Sequence, residues 1–104
     1  MFYELRQYEA PPGRMPVMIQ RFAEVTTRLF ERHGFHPVGY WTEDVGTPHR
    51  LVYMLAWETW EKREASWAAF YADPEWPQSL ETYGHTVERI TNSILKPLPF
   101  SPLP

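Results

Sequence analysis

Three groups of side chains in this sequence have the types and spacing that chemistry requires. Glu4, Arg6 and Tyr8 alternate, so a strand through them carries a carboxylate, a guanidinium and a phenol on one face. Charges buried at a subunit contact must pair, and such a network fixes the register of two chains. A carboxylate with a shifted pKa would instead act as an acid or a base. The expectation favours the first role. This face meets the sheet of a second copy, with Glu88 or Arg89 nearby, and Glu4, Arg6, Tyr8 and the tail residue Phe100 make the dimer interface.

The second group is aromatic. Tyr3, Tyr40 and Tyr53 fall on adjacent strands, with Trp57 beyond them and His49 in a loop. An apolar pocket with a few hydroxyls suits a small hydrophobic, aromatic or polyketide-like ligand, so these five residues are the expected substrate-binding set. The competing reading makes the rings plain core, since aromatic stripes usually pack. The third group is the histidines. His33 and His36 straddle a helix end at Gly34, and His49 and His85 lie far away in sequence. With no cysteine and no metal-ligand spacing, neither a metal nor a cofactor is expected, although His49 and His85 stand where a proton shuttle works. The glycines at 13, 34, 39, 46 and 84 form neither a dinucleotide nor a phosphate loop, and no nucleophile elbow exists. No residue is assigned as catalytic.

The elements that position these groups follow from periodicity. Phe2 to Glu9 alternates and stops at Pro11-Pro12-Gly13, which predicts a strand. Met15, Met18, Phe22, Val25 and Leu29 recur at three and four, the stripe of an amphipathic helix, with Pro16 in its first turn and Gly34 after its end. Phe35 to Asp44 and Arg50 to Glu58 read as a hairpin. The second of these strands is apolar from Leu51 to Trp57, which implies burial on both faces. Thr59 caps a predicted helix over 60–72 that buries Trp60, Trp67, Phe70 and Tyr71. Asp73-Pro74 starts a short helix with Trp76, Leu80 and Tyr83 on one side, and a last strand runs from His85 to Leu95. The order is that of the α+β ferredoxin-like fold, with a four-stranded antiparallel sheet. Residues 1–96 form that domain and 97–104 a proline-rich arm, stiff enough to lie across a partner.

Composition bounds the rest. The chain has 104 residues, a formal charge of -3 and no cysteine, so one domain without disulfides is expected. The acidity argues against a nucleic-acid partner, and no apolar run is long enough for a membrane. No signal peptide is visible, and a cytoplasmic location follows by default. Six Phe, 6 Tyr and 5 Trp are more rings than so small a core is expected to absorb, which calls for a ligand pocket or a second subunit.

The segments Tyr3-Glu4-Leu5-Arg6-Gln7-Tyr8, Leu29-Phe30-Glu31-Arg32-His33-Gly34, Gly39-Tyr40-Trp41-Thr42-Glu43-Asp44-Val45-Gly46 and Trp57-Glu58-Thr59-Trp60 stand in a telling order. Arg63-Glu64, Asp73-Pro74-Glu75-Trp76 and the run from Ile94 to Pro102 follow them. Together they resemble the NIPSNAP family of the dimeric α/β-barrel group. The chain departs from the family pattern at His49, where asparagine is usual, and at Tyr53, where histidine is frequent. The resemblance implies a homodimer built sheet against sheet. The group includes cofactor-independent monooxygenases, lactone isomerases, aldoxime dehydratases and haem enzymes, whereas the NIPSNAP branch has no settled reaction. The expected function is binding of a small hydrophobic or aromatic molecule, as a cofactor-independent monooxygenase or isomerase. The alternative is a non-enzymatic homodimeric binding or scaffold module.

Overall fold

A computed structural model of the chain describes all 104 residues. The elements are β1 (Phe2–Glu9), α1 (Met15–Arg21), a π-helical segment (Phe22–Thr26), α2 (Thr27–Arg32), β2 (His36–Thr42), β3 (Arg50–Trp57), α3 (Trp60–Ala72), α4 (Glu75–Tyr83) and β4 (Arg89–Leu95). The strands form one antiparallel sheet in the order β2-β3-β1-β4. This is the ferredoxin-like arrangement that the element order predicts.

Local signals act as expected. The Thr59 side chain accepts a hydrogen bond from the Lys62 N–H at 3.2 Å, and α3 begins there. Pro16 sits in the first turn of α1, where its missing N–H costs nothing. Gly34 adopts φ +79° after α2, a conformation that a side chain would strain. From α1 to α2 the helix is continuous but contains a wider turn, in which the Thr27 N–H bonds the Phe22 carbonyl five residues back.

Register decides which face each strand residue takes. Glu4 opposes Leu55, Arg6 opposes Tyr53 and Tyr8 opposes Leu51, and all six are buried on the side that the helices cover. This corrects the expectation that Glu4, Arg6 and Tyr8 face a partner's sheet: they point into the protomer. The core around them is largely aromatic and includes Phe22, Phe30, Phe35, Tyr53, Trp57, Trp67 and Phe70. Full burial of each such ring contributes about 1.5–3 kcal/mol.

The opposite face carries Leu5, Gln7, Val52, Met54 and Ala56, all half-buried, with Trp41 and Leu95 more exposed. The predicted burial of β3 on both faces is therefore complete only beneath the helices. Tyr3 belongs to the open face yet is buried, because the C-terminal arm returns over it: its hydroxyl donates to the Pro104 carbonyl at 2.7 Å. Phe100, on the same arm, is 83% exposed. Two further expectations change. Trp60 and Tyr71 of α3 are about half exposed, since Trp67 and Phe70 take the buried side. The last strand starts at Arg89 rather than His85, because the chain leaves α4 through Gly84 at φ +72° and joins β1 only where the Glu88 N–H meets the Glu9 carbonyl at 2.7 Å.

Candidate ligand-binding site

Beneath β1 a buried polar network forms around Glu4. Its Oε1 accepts from Trp57 Nε1 at 3.0 Å, Trp67 Nε1 at 3.1 Å and Arg63 Nε at 3.1 Å, and its Oε2 from Arg6 Nη1 at 3.0 Å and Arg63 Nη2 at 2.9 Å. Burial alone would raise the Glu4 pKa. The bonds from Arg63 and Trp67, the Arg6 charge and the Trp57 bond outweigh it and hold the carboxyl at about 2. Glu4 is thus a locked anion rather than an acid or base for neutral pH. Its partners are Arg6 and Arg63, not Glu88 or Arg89; Arg89 instead reaches Glu9 at 3.7 Å.

The network continues to Tyr8. The Tyr8 hydroxyl accepts from Arg6 Nε at 3.3 Å, Arg6 Nη2 at 3.1 Å and Tyr53 O–H at 2.9 Å. The two Arg6 bonds fork onto one lone pair and Tyr53 takes the other, which leaves the Tyr8 hydroxyl its own hydrogen to donate. Burial works against the Arg6 cation, but Tyr8, Tyr53 and then Glu4 outweigh it and its pKa is raised. The guanidinium also lies 4.4 Å from the centroid of a Trp67 ring.

Tyr8 is also the member of this network that lines a cavity of about 630 Å³. Its floor is Tyr8 and Ile90, which oppose each other between β1 and β4. One wall is Tyr71, Trp76 and Leu80 from α3 and α4; the other is the Gly84–Glu88 connection. That connection is fixed by Arg14, whose Nη2 donates to the Tyr83 carbonyl and whose Nε donates to the His85 carbonyl at 3.3 Å. Asp73 anchors α4: its side chain accepts from the Glu75 N–H at 2.9 Å and meets Arg32 Nη1 and His33 Nε2 at 2.8 Å each. The volume is in the range of small-molecule sites, which are commonly about 300–1,000 Å³.

Arg21 closes the inner end of the cavity. It is 2% exposed, its Nε has no hydrogen-bond partner and no carboxylate lies within ion-pair distance. Its guanidinium carbon lies 5.2 Å from the Phe22 ring centroid and 5.4 Å from that of Trp76. Burial pulls its pKa below the ordinary value, with Tyr8 and Tyr53 opposing. Arg21 is absent from the sequence-based set, although a signal exists: it falls three residues after Met18 and four before Val25, a charge on the apolar stripe.

The expected substrate-binding residues do not gather at this cavity. Tyr40 and Tyr53 stack with ring centroids 5.6 Å apart, and Tyr53 and Trp57 are fully packed core. The Tyr40 hydroxyl is buried without a partner, and burial pushes its pKa up to about 12. Tyr3 lies on the other side of the sheet, which removes it from any shared pocket with those rings. His49 is half exposed at the sheet end, its Nε2 3.4 Å from Glu9 Oε1. No group of three or more His, Asp or Glu side chains converges as a metal set would, and no helix is long and apolar enough to cross a membrane.

Comparison with known proteins agrees with this architecture. No curated protein matches the sequence. Among solved structures, a NIPSNAP family protein with unknown function from Agrobacterium tumefaciens is 30% identical, with a TM-score of 0.88 over 99% of this chain and 93% of that one. An uncharacterised NIPSNAP-like domain protein from Burkholderia xenovorans is 26% identical, with a TM-score of 0.86 over 97% and 88%. A putative antibiotic biosynthesis monooxygenase from Nitrosomonas europaea shares the fold, with a TM-score of 0.67 and 13% identity over 94% and 99% of the two chains. The NIPSNAP family model matches residues 3–102, nearly the full span of the sheet, helices and arm just described, and the chain belongs to the NIPSNAP family.

Proposed function

We propose that this protein binds a small hydrophobic or aromatic molecule in the cavity between β1, β4 and α4, and acts on it as a cofactor-independent monooxygenase or isomerase. The observation that carries the binding is the cavity itself, about 630 Å³ with Tyr71, Trp76 and Leu80 along one wall. The enzymatic part draws on Tyr8, whose hydroxyl has a hydrogen to donate at the cavity floor and Tyr53 behind it. Tyr8 orients an oxygen of the ligand and protonates it as negative charge develops there. The fold shared with a putative antibiotic biosynthesis monooxygenase is in keeping with this class of reaction.

The binding is tested with a neutral aromatic probe, 1-naphthamide, by titration calorimetry. The wild type binds it, and Leu80→Trp, which fills the cavity from a half-exposed position, does not. Equal binding by the two proteins, or by neither, would remove the cavity from consideration.

We further propose that the working form is a homodimer joined through the open sheet face. The half-buried Leu5, Val52, Met54 and Ala56, with Trp41 and Leu95 beside them, support this. The alternative of a non-enzymatic scaffold draws on this same face. Light scattering at micromolar concentration checks it, a monomer being the adverse result, and removal of residues 97–104 is expected to promote dissociation on dilution.

A further inference from the structure

We propose that the ligand of this cavity is an acid: a compact apolar body bearing a carboxylate, for which Arg21 is the counter-ion. The inference rests on the binding reading above and adds the chemical class of what is bound.

A guanidinium stays protonated in proteins, so Arg21 carries a full charge into the interior. Buried charges are paired or coordinated, because the loss of hydration is not otherwise recovered. Each of the other arginines around the site follows this rule. Arg6 has Glu4 and Tyr8, Arg63 has Glu4, and Arg14 has two backbone carbonyls. Arg21 has only the faces of Phe22 and Trp76, and an Nε without an acceptor. It is also the one of these four that lines the cavity. An interior cation left unmatched at the end of an apolar cavity is complementary to an anion that arrives with an apolar body.

The neighbouring groups do not neutralise it. The only carboxylate among the lining residues, Glu88, is exposed and does not pair with Arg21, and Arg89 on the rim reaches Glu9 instead. Tyr8 supplies a second donor at the floor. A planar carboxylate is matched to the fork of an arginine, which offers two parallel N–H groups where a lysine offers a point charge. The rings of Trp76 and Tyr71 then receive the apolar part of the ligand.

The test compares 1-naphthoate with 1-naphthamide, which has the same shape and no charge, on the full chain by titration calorimetry at low salt and neutral pH. The wild type is expected to bind the naphthoate roughly tenfold or more tightly. Arg21→Met is expected to bring the ratio of the two affinities to about one while still binding the amide, and Arg21→Lys to keep part of the preference. Circular dichroism checks that both variants are folded, and the wild-type ratio of the two affinities decides the sign of the ligand without either of them. Equal affinities in the wild type, or a preference that survives Arg21→Met, would overturn the acid while leaving the apolar cavity in place. If neither probe binds, both readings fall together.

Discussion

Two arginines lie under the same sheet within reach of the same tyrosine pair, and they are treated in opposite ways. Arg6 is held by the Glu4 carboxylate and the Tyr8 hydroxyl, with its guanidinium over the Trp67 ring. Arg21 is as deeply buried and has no acceptor at Nε. Desolvating an ion costs several kcal/mol in either place. In the first, the fold recovers the cost through a carboxylate fed by five N–H donors; in the second it does not. The Arg6 region is therefore architecture, complete in itself, while the Arg21 region is arranged for something that comes from outside. Burial of charge does not separate the two roles. The count of satisfied groups does.

The contrast is most directly attacked at Glu4. Removing it as Glu4→Ala leaves Arg6 without its anion and the Trp57 and Trp67 N–H groups without acceptors, and should cost about 3–5 kcal/mol in urea unfolding. A loss below about 1 kcal/mol would mean that the network is dispensable. Acid offers a second route to the same anion. The Glu4 carboxyl titrates at about 2 in the folded chain against an ordinary 4.5, so the folded state binds its proton more weakly than the unfolded state does. Its stabilisation, roughly 3 kcal/mol, is present above the ordinary value and lost as pH falls through that value towards 2. Asp73 is also held at about 2, by the Glu75 N–H, His33 and Arg32, and its stabilisation fades over the same pH range. Glu4→Gln should therefore shallow the acid limb of a stability-against-pH curve without abolishing it.

Arg21 should move the other way. Without ligand, Arg21→Met exchanges an unmatched cation for an apolar side chain of similar reach and should stabilise the chain by about 1–3 kcal/mol, read as a higher melting temperature. A destabilised variant would show that Arg21 is satisfied in the fold after all, and the difference between the two arginines would disappear. The smallest effect belongs to the residue they share. Tyr8→Phe deprives Arg6 and Tyr53 of an acceptor and is expected to cost about 1–2 kcal/mol, while weakening 1-naphthoate binding through the loss of the floor hydroxyl.

Much of the backbone was legible in the residues. β1 runs over the alternating segment, β3 over the apolar one, and Thr59 caps α3, because period, turn chemistry and caps are local properties. The side to which β1 turns its charges was not. Glu4 and Arg6 read as outward-facing because their partners are invisible locally: Arg63 and Trp67 stand 59 and 63 positions from Glu4 and arrive only when α3 docks. The candidate site was missed for a related reason. The aromatic residues singled out, Tyr53 and Trp57 among them, satisfy one another as core, whereas the cavity is walled by α4 and by a connection whose shape depends on Gly84 and Arg14. Arg21 left a trace, as a charged position in a stripe of apolar ones, and a trace of that kind acquires meaning only once the facing surface is known.

The wide turn between α1 and α2 acts as a phase shifter. Each residue of an ordinary helix advances the azimuth by about 100°, so one residue too many in the Phe22–Thr26 turn rotates everything before it relative to everything after it. Leu29 and Phe30 are clamped in the core, and the rotation is therefore expressed upstream, at Arg21. Shortening that turn by a single residue, for instance at the exposed Ala23, would keep every cavity-lining side chain and swing the guanidinium away from the cavity. The direction in which this protein aims its unmatched cation is thus encoded in the length of a turn as much as in the choice of an amino acid.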